Sequence, residues 1–180
     1  MRSSFISEVA FAMASRAATT SKVVPGSDVE DEARDFMRRL PGGGYAESEL
    51  TSIEWLEAKK ICGKIQRYVS PTSDAVYSPL IPGCGVVDLA IADICHEGEL
   101  IEVKTVTRQF RGADFRQALT YAAMLYASDR TVDSITLLNP RRAVYVKGSL
   151  DLIAEGAGGT SGVELMQELV ELMTGLQTSA

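Results

Sequence analysis

An α/β fold is predicted for this 180-residue chain, because segments with helical apolar spacing alternate with short β-rich runs. Three observations carry the prediction. Ala46 to Tyr68 repeats its apolar residues at helical spacing. Gly85 to Lys104 reads as two apolar strands joined by a polar reversal. A second helical stretch, Phe115 to Ala127, then separates these strands from two more, Ser134 to Leu138 and Ala143 to Val146. The expected organisation is an N-terminal helical extension over 1–45, a core over 46–150, and a linker with a C-terminal helix over 151–180.

Taken in order, Met1 to Val24 is Ser/Ala-rich, with Arg2, Arg16 and Lys22 against Glu8. It reads as an amphipathic helix with Ile6, Val9, Ala10, Met13 and Ala17 on one face; a mitochondrial transit segment is the alternative. Ser27-Asp-Val-Glu30 has the spacing of a capping box, and the acidic helix it opens should stop at Pro41 and Gly42 to Gly44. The helix over 46–68 turns Leu50, Ala58, Ile61, Ile65 and Tyr68 to one side, with Glu54 in the middle of that face and Glu57 near its edge. A carboxylate there is costly unless it is paired or binds a metal. A short extended segment is expected over Ala75 to Ile81. Arg108 to Asp114 reads as a polar loop leading into the helix that carries Gln117 and Tyr121 one turn apart. Gly156 to Gly162 reads as a flexible linker, and Val163 to Met173 as the last helix.

Net charge is -6, which argues against nonspecific nucleic-acid binding by the chain as a whole. The distribution is uneven: residues 59–150 carry a net +3, whereas 27–58 and 151–180 carry -6 and -5. Cys62, Cys84 and Cys95 form no Cys-x-x-Cys pair, so neither a disulfide framework nor a zinc or iron–sulfur site is indicated. His96 falls in a turn and reads as solvated. No run reaches the roughly 18 apolar residues that crossing a bilayer needs. A cytoplasmic location is expected, with the mitochondrial matrix as the alternative.

The chemistry concentrates in the two central strands. Side chains alternate along a strand, so Glu102 and Lys104 project together while Ile101 and Val103 face the other way. An acid on the preceding strand, set opposite Glu102, would give two carboxylates and a lysine, hard oxygen ligands suited to Mg2+ or Mn2+. Such a set cleaves phosphodiesters: the metal neutralises phosphate charge and acidifies its water, and the lysine orients or helps deprotonate that water. The plainer reading is an ion pair on a half-exposed strand. Which acid faces Glu102 depends on register. A tight turn over His96 to Glu99 would pair Cys95 with Leu100 and set Asp93 opposite Glu102, whereas a loose reversal over Ala92 to Gly98, or a bulge, would bring Asp88 there.

The ordered set of Gly85-Val-Val-Asp88, Glu102-Val-Lys104 and Gln117-x-x-x-Tyr121 resembles the PD-(D/E)xK nuclease superfamily, and the Gln-x-x-x-Tyr helix resembles its RecB-like exonuclease branch. The likeness covers roughly residues 46–148. It implies a restriction-endonuclease-like core, a central mixed β-sheet flanked by helices, over the 46–150 segment. It further implies Asp88 and Glu102 as metal ligands, Lys104 as the catalytic lysine, and an acid in the first core helix, Glu54 or else Glu57. Gln117 and Tyr121 would line the nucleic-acid side. The Gly-x-x-Asp approach favours Asp88 over Asp93. The iron–sulfur members of that branch carry four cysteines, so the cofactor expected here is Mg2+ or Mn2+ without a cluster.

The expected activity is therefore a metal-dependent nuclease that hydrolyses DNA phosphodiester bonds, with RNA as the alternative substrate. Lys59, Lys60, Lys64, Arg67, Arg108, Arg111 and Arg116 are the candidate phosphate contacts. The competing function is a catalytically inactive adaptor of the same fold that binds a protein or a nucleic acid. The last helix bears on partners: Leu165, Met166, Leu169, Val170, Leu172 and Met173 make a wider apolar face than one packing stripe needs, so a homodimer or protein partner is expected there, away from the catalytic face. No membrane partner is expected.

Overall fold

The computed structural model describes residues 2–19, 26–39, 48–69 and 74–178. They group into two units, residues 1–73 with 140–143, and residues 74–139 with 144–180. The boundary expected at residue 45 thus falls inside the first unit, and the C-terminal helix belongs with the sheet.

The first unit holds three helices: α1 (Arg2–Thr19), α2 (Gly26–Arg39) and α3 (Ser52–Tyr68). On α1, Phe5, Ile6, Val9 and Ala10 are buried, and the helix packs on both others. α3 starts at Ser52 rather than Ala46 because Thr51 caps it. Its hydroxyl accepts from the Glu54 amide, and the Glu54 carboxylate accepts from the Thr51 amide at 2.8 Å, a reciprocal capping box. Ala58, Ile61, Cys62 and Ile65 are its buried face. The capping box expected at Ser27–Glu30 is not used, since α2 already begins at Gly26. Glu30 is instead buried, pairs with Arg34 at 2.7 Å and accepts from the Leu50 amide. The Pro41 and Gly42 to Gly44 stop lies outside the described residues.

The second unit is α/β, with a mixed five-stranded sheet flanked by helices. Its strands are β1 (Val76–Tyr77), β4 (Ile94–His96), β5 (Glu99–Val103), β6 (Ser134–Asn139) and β7 (Val144–Ser149), ordered β1-β4-β5-β6-β7. β5 and β6 are parallel and joined through α4 (Gly112–Ala127); the other neighbours are antiparallel. The segment expected as one strand over 75–81 breaks at Ser78, where φ is 51°, and continues as β2 (Leu80–Ile81), which pairs with β3 (Ala90–Ile91) in a separate two-stranded sheet.

β4 and β5 meet in a tight two-residue turn: His96 pairs with Glu99, Cys95 with Leu100 and Ile94 with Ile101. Glu97 and Gly98 both have positive φ, 47° and 75°, which matches the right-handed strand twist and closes the hairpin with no spare residue. A Cβ on Gly98 would lie 2.6 Å from the Asp133 carboxylate, and the positive φ there favours glycine. The loose reversal over 92–98 is therefore corrected to the tight register.

One core fills the space between sheet and helices. Leu100, Ile135 and Leu137 pack with Ala118, Ala122, Met124 and Leu125 of α4, and with Met166 and Met173 of α6 (Gly162–Thr178). The Gly156–Gly162 stretch is not a plain linker, because α5 (Leu150–Gly158) runs into it and ends at Gly159 with φ 71°. Among the described residues, no helix is long and apolar enough to cross a membrane.

Candidate active site

Strand alternation sets Leu100, Glu102 and Lys104 on the face that α4 covers, with Glu102 beside Leu137 of β6 in the parallel ladder. Glu102 is only 3% exposed. Lys104 continues the line: its amide donates to the Leu138 carbonyl at 2.8 Å, which carries the β5–β6 pairing one residue past the strand. Its ammonium donates to Glu102 Oε1 at 2.8 Å and to Gln117 Oε1 at 2.7 Å. Gln117 in turn donates through Nε2 to the Tyr121 hydroxyl at 3.1 Å. The residues of the two short motifs thus form one continuous chain of hydrogen bonds, Glu102 to Lys104 to Gln117 to Tyr121.

Glu102 Oε2 is buried and has no hydrogen-bond partner. Burial raises the Glu102 carboxyl above its ordinary value; the hydrogen bond and charge of Lys104 oppose that rise, and the charge of Asp114 adds to it. A buried acceptor without a donor costs about 1–3 kcal/mol.

The tight register sets Asp93 beside the end of β5. Its Oδ2 accepts from the Val103 amide at 2.7 Å, taking the place of the next backbone partner where β4 ends. Asp88 lies in the irregular segment between the Cys84–Val87 bridge and β3, and it is exposed. The turn before it is closely held: Gly85 has φ 56°, and a Cβ there would lie 2.1 Å from the Met173 carbonyl oxygen of α6.

Glu54 belongs to the first unit, and its carboxylate is fully engaged there. It accepts from Arg2 Nε at 2.8 Å and Nη2 at 2.5 Å, and from the Thr51 amide and hydroxyl at 2.8 Å each. Those donors, Arg2 first, hold its carboxyl down to about 2. Glu57 pairs with Arg141, whose guanidinium also donates to Ser7 Oγ. Of the basic residues, Lys59, Lys60 and Arg67 are exposed on α3, and Lys64 donates to the Arg141 carbonyl. Arg111 and Arg116 are exposed at the start of α4.

Sequence reasoning did not single out Asp114, which is 5% exposed in the first turn of α4. It accepts both Nη groups of Arg108, at 2.6 and 2.9 Å, and the Arg111 amide at 2.8 Å. Arg108, then burial in opposition, then Arg111 set its carboxyl down to about 2. The available signal was an acid at the third position of a helix, which favours the positive end of its dipole.

The chain matches no family model, no curated protein and no solved structure. The residues therefore have to be judged on their own chemistry. Among the described residues, no group of three or more His, Cys, Asp or Glu is gathered to hold a metal. Mg2+ does not require one: it keeps several waters and takes one or two carboxylates together with substrate phosphate oxygens. Glu102 Oε2 could supply one such carboxylate oxygen, whereas Asp93 Oδ2 accepts from the Val103 amide and Asp88 is exposed in the segment before β3.

Proposed function

We propose that the second unit is the core of a metal-dependent nuclease, restriction-endonuclease-like and of the PD-(D/E)xK kind, that hydrolyses DNA phosphodiester bonds. The single observation that carries this reading is the half-buried hydrogen-bond chain Glu102–Lys104–Gln117–Tyr121, whose Glu102 end is a buried acceptor with no donor. An ordinary strand ion pair has no need of an unsatisfied buried oxygen, nor of a lysine fixed between two acceptors. In this reading Glu102 holds Mg2+ or Mn2+ with Asp88 or Asp93. Asp88 is the residue the resemblance implies, and Asp93 is the one the register sets beside β5. Glu54 is left out of the set, because joining it would break four hydrogen bonds within its own unit.

When bound, the metal would neutralise phosphate charge and acidify a water. Lys104 holds its proton-bearing nitrogen at a fixed place beside Glu102, oriented by Gln117, where it can align the attacking water. Tyr121 anchors the Gln117 amide so that its oxygen faces Lys104. Calorimetric titration with Mg2+ and Mn2+, followed by digestion of linear, circular and single-stranded DNA and of RNA, tests the proposal. Metal-dependent cleavage supports it and reads out the mode of cutting. Nucleic-acid binding without cleavage under any of these conditions favours the adaptor instead.

A further inference from the structure

The loop between Lys104 and α4 is held at both ends and in the middle. The Lys104 amide bonds Leu138, the Val106 carbonyl accepts from Asn139 Nδ2 at 2.7 Å, and Arg108 is clamped by Asp114. The clamp has a particular geometry. Asp114 takes the end-on edge of the guanidinium, Nη1 and Nη2, and Nη1 also donates to the Gln109 carbonyl at 2.9 Å. Arginine has five N–H donors. The two left over, on Nε and Nη2, lie side by side and parallel, the edge with which arginine grips a phosphate through two hydrogen bonds. The Arg108 side chain is 33% exposed and that of Asp114 only 6%, so the carboxylate is the buried anchor and the arginine is the partner that reaches solvent.

We propose that Asp114 is a positioning residue that fixes Arg108 so that its Nε–Nη2 edge receives a substrate phosphate next to the Lys104 site. This rests on the nuclease reading and deepens it, by setting one prearranged phosphate receptor apart from the other basic residues. The same turn of α4 serves both tasks: Asp114 faces the loop, and Gln117, three residues on, faces Lys104.

The sign of one substitution separates this from background electrostatics. Asp114→Asn removes a negative charge from an acidic chain, and charge alone would make the protein bind DNA more tightly. If Asp114 positions Arg108, the same change weakens binding. The asparagine oxygen can still accept from the Arg111 amide, so the start of α4 is retained.

The test measures binding of a short fluorescent DNA duplex by the full chain, with Ca2+ in place of Mg2+ so that nothing is cut, across a salt series. Asp114→Asn is expected to bind about tenfold more weakly, the scale of a lost charge-assisted hydrogen-bond pair. Its log–log salt slope should fall by about 0.9, one phosphate contact. Asp114→Glu should recover part of the loss. Arg108→Lys, which keeps the charge and loses the fork, should weaken binding without touching Asp114, and so covers the case in which Asp114→Asn fails to fold. Wild-type or tighter binding by Asp114→Asn, or wild-type binding by Arg108→Lys, overturns the positioning role and leaves the nuclease reading standing. Absence of DNA binding by the wild-type chain overturns both.

Discussion

Glu102 brings a structural conflict down to one oxygen: its Oε2 is buried without a donor while Oε1 holds Lys104. Glu102→Gln should abolish any gain in melting temperature that Mg2+ gives the wild type, since an amide supplies no charge to the cation; a thermal melt with and without Mg2+ reads it. Calorimetry on Asp88→Asn and Asp93→Asn should find Mg2+ affinity lost in one and kept in the other, which assigns the second ligand. A separate group governs pH dependence in the first unit. Burial pushes the Glu8 carboxyl up to about 7, so the folded form binds a proton that the unfolded chain has already released. Its stabilising contribution is full below the ordinary carboxylate range and is lost as pH rises through 7. Glu8→Gln should therefore flatten the fall in melting temperature between about pH 5 and about pH 8, and an unchanged pH profile would contradict this assignment.

At the scale of elements, the docking of α6 against the Gly85 turn is the most constrained contact beside the site. The Val86 amide donates to the Met173 carbonyl at 3.1 Å, and a side chain on Gly85 would collide with that same carbonyl while being strained at φ 56°. Gly85→Ala should cost about 2 kcal/mol or more, read from the denaturant midpoint, because positive-φ strain and overpacking add. The helices were legible in the sequence because their apolar spacing is long and regular: Ala58, Ile61 and Ile65 are buried as their spacing requires. The hairpin register was legible only as one of two alternatives. Glu97-Gly98 lacks the Asn-Gly or Asp-Gly signature of a two-residue turn, so the sequence did not choose the tight turn over the loose reversal. The order of the site motifs could be read along the chain, and strand alternation already put Glu102 beside Lys104. The Arg108–Asp114 clamp could not be read, since it depends on how a loop folds back. The wide apolar face of α6 could be read in the sequence, but not which part of it is core. Met166 and Met173 are buried against α4, and Leu165, Leu169 and Val170 are packed at their flanks, while Leu172 and Leu176 remain exposed.

At the scale of the whole molecule, the C-terminal helix is part of the core of the second unit. Deleting residues 162–180 removes two buried methionines from the central core, so the truncated chain should lose its cooperative thermal transition; retention of metal binding and a sharp melt would show that α6 is dispensable. The chain is acidic overall, at net charge -6, so any affinity for a polyanion must come from local groups such as Arg108, Arg111 and Arg116 rather than from its total charge. Everything functional then converges on one side chain. The most direct test is the rate of Mg2+-dependent DNA cleavage by Lys104→Ala beside the wild type, with circular dichroism confirming that both are folded. The wild type should cleave and lose activity with chelator, and Lys104→Ala should be at least about 100-fold slower, the scale for removing a positioned proton-handling group. Near wild-type turnover by Lys104→Ala would contradict the assignment of this hydrogen-bond chain as a catalytic site.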